Sequence, residues 1–178
     1  MANTYLETAF NVPVTPDEAA LLEECFATAA EISIGFASIP QEELEAAKSC
    51  YASRSSAFKA TFPPQAGEED PFAAFLDLWS DPDFPCFDAD LSIGDSPDGK
   101  GQVAFIHGHE ADISALASLI QQVCKSALPF GFEWALVTDR DRPGGFGGGY
   151  FVITDTDILG GSTHWLMQET LQTLRTGA

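Results

Sequence analysis

The tightest constraint on this chain lies in residues 130–154, where two runs of alternating residues flank the segment Arg-Pro-Gly-Gly-Phe-Gly-Gly-Gly. Along residues 132–138 the side chains fall into two rows, Phe132, Trp134 and Leu136 against Glu133, Ala135 and Val137. A period of two belongs to a strand and not to a helix. Residues 148–154 then supply Tyr150, Phe151, Val152 and Ile153 for a returning strand, with residues 139–147 as the connection. The sequence here commits to an antiparallel hairpin. One of its rows faces a core, and the other faces solvent, a covering element or a partner.

The remaining elements follow from similar signals. Residues 4–14 place Phe10, Val12 and Val14 on one side of a strand. Thr15-Pro16-Asp17-Glu18 opens a helix, with Thr15 as N-cap, Pro16 in the first turn and Glu18 closing a capping box. Ala19, Leu22, Phe26 and Ala29 recur at helical spacing to about residue 32. Residues 33–86 are punctuated by Pro40, Pro63, Pro64, Pro71, Pro82 and Pro85. They read as an excursion with helices over 41–58 and 71–79, packed on the core and without strands of its own. Residues 89–93 and 102–107 form a second hairpin around the turn-rich stretch 95–101. An amphipathic helix follows through Ile113, Leu116, Ile120 and Val123, and a last helix over 162–173 is expected to carry Trp165, Leu166, Leu171 and Leu174 toward the core. The order β-α-(helical excursion)-β-β-α-β-β-α predicts one α+β domain spanning residues 1–178. Its sheet is ferredoxin-like and antiparallel, with about five strands and helices mainly on one face.

Charge narrows the partners. The chain carries 27 acidic and 8 basic side chains, a formal net charge of −19. Residues 1–100 hold 19 of the acids and 4 of the bases. Such a field repels nucleic acid and anionic membranes and attracts basic protein surfaces, although solubility or a salty cytoplasm explains the same composition. With no basic-then-apolar leader and no apolar run of membrane-spanning length, a soluble cytoplasmic protein is expected. Cys25, Cys50, Cys86 and Cys124 are too dispersed for a zinc or redox pair.

Several residues compete for a functional role. Arg140 and Arg142 are two of the four arginines, and beside Gly145, Gly147 and Gly148 they read either as a fork for a carboxylate or phosphate, or as partners of Asp139 and Asp141. The glycines do not make a phosphate loop, because a strand follows them instead of a helix and no Gly-Lys-Ser/Thr is present. They serve a turn or a close backbone approach, or a binding loop. His107 and His109, with Glu110 and Asp112 nearby, are weak metal candidates. Glu133 reads as a general base if it is buried and as a solvated side chain if it is not. Nothing in the sequence calls for a cofactor.

The Gly-Phe-Glu-Trp-Ala strand, the Arg-Pro-Gly-Gly-Phe-Gly-Gly-Gly hairpin and the N-terminal Phe-Asn-Val-Pro-Val-Thr-Pro-Asp-Glu-Ala segment resemble a group of uncharacterised proteins of bacterial phages, plasmids and related mobile elements. The resemblance implies a small accessory protein that acts by binding, and it carries no catalytic residue. The leading expectation is a non-enzymatic module that meets a basic protein through an acidic face including Asp17, Glu18, Glu23 and Glu24. Its sharpest form is a mimic of DNA phosphates that fills the groove of a nuclease or repressor. The alternatives are a ligand binder or enzyme built on Arg140 and Arg142, and a self-associating structural domain.

Overall fold

The computed structural model describes residues 3–35, 41–96, 99, 101–140 and 142–176. Pro40, part of the 95–101 turn (Pro97, Asp98 and Lys100) and Asp141 lie outside the described residues. The first strand, β1 (Thr4–Val14), runs into α1 (Pro16–Gly35). The capping box forms as the sequence predicts: the Glu18 amide donates to Thr15 Oγ1 at 3.3 Å, and the Thr15 amide donates to Glu18 Oε2 at 2.8 Å. Leu22, Cys25, Ala29 and Ile32 then turn one stripe of α1 into the core.

The excursion contains α2 (Gln41–Ser53), α3 (Ser56–Thr61) and α4 (Ala73–Leu76). The single helix expected over 41–58 is broken at Ser55, whose hydroxyl caps α3 by accepting from the Phe58 amide at 3.0 Å. Glu24 on α1 fixes the break by accepting the Ser55 amide at 2.7 Å and its hydroxyl at 2.5 Å. Tyr51, Phe58, Phe62, Phe72, Phe75, Trp79 and Phe87 form a chain of aromatic contacts with ring centroids 4.7–6.3 Å apart. These rings belong to the same buried cluster as the sheet, so the excursion shares its core.

The rest of the chain supplies β2 (Asp90–Asp95), β3 (Gln102–Gly108), α5 (Ile113–Val123), β4 (Phe130–Thr138), β5 (Gly147–Ile153), β6 (Ile158–Ser162) and α6 (Thr163–Thr176). Asp112 caps α5 by accepting the amides of Ser114 and Ala115. The sheet order is β2-β3-β1-β4-β5-β6, and every neighbouring pair is antiparallel. The fold is therefore α+β. The path from β1 through α1 to β2 steps over the position of β3, and the path from β3 through α5 to β4 steps over β1.

Two expectations are corrected. Six strands are described instead of about five, because the chain reverses at Thr154, whose amide donates to the Asp157 carbonyl, and residues 158–162 pair with β5. The last helix does not reach the core: Trp165, Leu166, Leu171 and Leu174 are all exposed. Buried residues of α1 and α5 already occupy the apolar face of the sheet, and α6 leaves from the outermost strand at its rim.

Candidate functional site

Residues paired across an antiparallel ladder share a face. Val12, Ala104, Ile106, Phe132 and Ile153 point into the core that α1 and α5 complete. The opposite face shows Glu7, Ala9, Phe105, His107, Glu133, Ala135, Tyr150 and Val152 by the same pairing. Phe105, Tyr150 and Val152 are exposed there.

This face is interrupted in the middle. β1 pairs with β4 only from Thr4 to Glu7, opposite Thr138 to Ala135, and with β3 from Thr8 to Val14. At the change of partner the buried Thr8 hydroxyl donates to the Glu133 carbonyl at 2.7 Å, a side-chain bond where the backbone ladder has stopped. Phe10 stacks on Phe132 at 4.3 Å and lies 5.9 Å from Phe130, filling the core side of the interruption. On the other side a trough of about 600 Å³ opens, lined by Glu7, Ala9, Phe105, His107, Glu133 and Ala135 among others. A second groove of about 400 Å³ runs to the first turn of α6, lined by Gly148, Tyr150, Gly161, Trp165 and Leu166. Glu133 and Trp134 line both, so the two depressions meet at an exposed carboxylate. The indole Nε1–H of Trp134 is buried without a partner among the described residues.

Glu7 Oε1 meets the exposed imidazole of His109 at 3.1 Å, and the ring of His107 packs on Phe105 at 4.7 Å. Among the described residues no three His, Cys, Asp or Glu side chains gather as metal ligands. Cys25 and Cys124 are buried. Loss of hydration pushes the Cys25 thiol well up and the Cys124 thiol up to about 12, which keeps both protonated and unreactive.

The hairpin arginines have different contacts. Arg142 donates to Thr4 Oγ1 at 2.8 Å, tying the connection to the start of β1. Arg140 is exposed, and its carbonyl accepts the Thr138 hydroxyl at 2.7 Å. Neither groove is lined by Arg140 or Arg142. Asp139 is engaged through Oδ1, which accepts the Asn3 amide at 3.0 Å. Gly145 is buried in the turn, and a Cβ there would come within 2.7 Å of Thr138 Oγ1 and 3.0 Å of the Arg142 carbonyl. Gly147 and Gly148 sit in β5 and line the second groove.

The acidic group on α1 also divides. Burial would raise the Glu18 carboxyl, but hydrogen bonds from Ser126 and Thr15 outweigh it and hold it below the usual range. The Ser126 amide and hydroxyl donate to it at 2.7 and 2.5 Å. Glu24 is committed to Ser55, while Asp17 and Glu23 face solvent. Glu7 and Phe105 were not singled out from the sequence. Their signal was the odd-numbered row that faces away from Phe10, Val12 and Val14, visible once the core row is fixed. No described helix is long and apolar enough to cross a membrane. No protein-family model, curated protein or solved structure matches this chain.

Proposed function

We propose that this protein is a non-enzymatic interaction module that takes a basic, extended segment of another protein on the face of its sheet that α1 and α5 leave uncovered. The carrying observation is the meeting of two grooves at Glu133, with Glu7 on the neighbouring strand and Phe105, Tyr150 and Trp165 along the floor and walls. Carboxylates beside aromatic faces favour lysine and arginine, by charge and by cation–π attraction. The net charge of −19 draws such a segment in from a distance. We read β1, β2, β3 and β4 with α1 and α5 as a ferredoxin-like core extended by β5, β6 and α6. On the resemblance noted above, the module belongs to the accessory proteins that mobile elements encode. The docking face moves from α1, where Glu18 and Glu24 serve the fold, to the sheet.

A labelled peptide of alternating arginine and leucine tests the reading by fluorescence anisotropy. Binding is expected to weaken steeply as salt screens the carboxylates. Replacing both Glu7 and Glu133 by Gln is expected to remove about 1–2 kcal/mol, roughly a five- to thirtyfold loss of affinity. An affinity indifferent to both salt and the double substitution refutes it.

A further inference from the structure

The two edges of the sheet are built differently. The β2 edge carries Asp90 and Asp95, the charged side chains with which edge strands resist pairing with other chains. The β6 edge, Ile-Leu-Gly-Gly-Ser, has no charged residue and no proline, and its Leu159 is 58% exposed. Nothing described pairs with its outer side, where backbone groups offer a template for another strand.

The helix that follows is exposed as well. Residues 163–175 are all exposed. Met167, Leu171 and Leu174 recur at i, i+4 and i+7, with Leu166 flanking them, which makes an apolar stripe along a helix of 14 residues. Leu174 is 74% exposed and Met167 50%. A helix of this length gains most of its stability from packing such a stripe.

Charge identifies the occupant. Two chains of net charge −19 repel unless they meet where the charge is low. Residues 143–178 carry three acids and one base, a net of −2, and within α6 the single acid Glu169 is offset by Arg175. A basic partner finds only a small excess of carboxylates here, whereas a second copy finds the part of the chain where repulsion is weakest. An edge strand and a helix that are adjacent in the chain can both pair with themselves about one twofold axis.

We infer that two copies of this chain form a closed dimer, with β6 paired edge to edge across a twofold axis and the α6 stripes packed against each other. The sheet then runs continuously through twice its six strands. This surface adjoins the second groove, with which it shares Leu166, but Leu159, Met167 and Leu174 line neither groove, and its salt response has the opposite sign: screening the mutual repulsion strengthens the dimer, while it weakens docking of a basic segment.

Sedimentation equilibrium on the full chain, over a concentration series into the high micromolar range and at low and high salt, tests this inference. A species of twice 19.1 kDa is expected, favoured by salt. Met167→Glu combined with Leu174→Glu should raise the dimer Kd at least about tenfold. Leu159→Asp should do so independently, and because all three side chains are exposed, circular dichroism of each variant should keep the parent's folded signal apart from a loss of helix no larger than α6 itself. A chain that stays monomeric at every concentration, a dimer that neither set of substitutions weakens, or growth into open polymers overturns the inference.

Discussion

Glu18→Gln separates a fold-supporting carboxylate from a docking one. In the parent, Glu18 accepts from the Thr15 amide and hydroxyl and from the Ser126 amide and hydroxyl, joining the start of α1 to the segment before β4. An N-terminal capping interaction contributes about 1 kcal/mol. Hydrogen bonds to a charged acceptor contribute about 1.5–3 kcal/mol each when buried, and much less at this half-exposed position. Glutamine keeps one acceptor oxygen and loses the charge, so a net loss of about 2 kcal/mol is expected, or a fall in Tm of about 4–8 °C for a chain of this length. The sign of the pH dependence follows from the lowered Glu18 pKa. Its stabilisation is complete above the ordinary glutamate value of about 4.3 and is lost as pH falls through the lower folded value. The Tm gap between parent and variant should therefore be widest near neutral pH and close in acid. Calorimetric scans from neutral pH downward measure it. A gap that is absent at neutral pH, or constant down to strong acid, refutes the reasoning, and a large loss of peptide affinity in this variant would return docking to α1.

Gly149→Ala forces a methyl group to within 2.5 Å of the Trp134 ring and against the Gly161 carbonyl, so chemical denaturation should show a loss of about 1–3 kcal/mol. Arg54→Met removes the donors to Glu31 at 2.6 Å and to the fully buried Thr28 hydroxyl at 3.0 Å. Its expected cost is about 1–3 kcal/mol, most of it from stranding that hydroxyl. Alkylation of the native chain followed by mass mapping should modify exposed Cys86 first and leave Cys25 and Cys124 unmodified until the protein unfolds, and equal rates at all sites would contradict the described burial.

Much of the architecture was legible because it rests on local signals. The Thr15–Glu18 capping box, the alternation of residues 132–138 and the stripe through Leu116, Ile120 and Val123 each need only their neighbours in sequence. The failures share a different cause. Gly160 and Gly161 give β6 no side-chain alternation to read, so a strand defined only by its pairing with β5 went unseen. Trp165, Leu166, Leu171 and Leu174 have a core-like spacing, and whether such a stripe is covered depends on what already fills the core. The arginines are neighbours in sequence, yet the bond from Arg142 to Thr4 is decided by a contact 138 residues away. For the same reason the trough escaped notice, since Glu7, Phe105 and Glu133 meet only when β1 changes partner.

That change of partner has a consequence for how the chain is made. β1 emerges first, yet its two neighbours are β3, where Thr8 faces Gly108, and β4, where Thr4 faces Thr138. At about 5–20 residues per second the ribosome takes roughly 5–20 s to supply the first of them. Throughout that interval the central strand has no ladder to join, and a nascent chain released before residue 102 contains helices and β2 but no sheet that includes β1. Such separated pairing slows folding. The first hundred residues carry 19 acids and 4 bases, a charge that works against contact between unfinished chains over that interval.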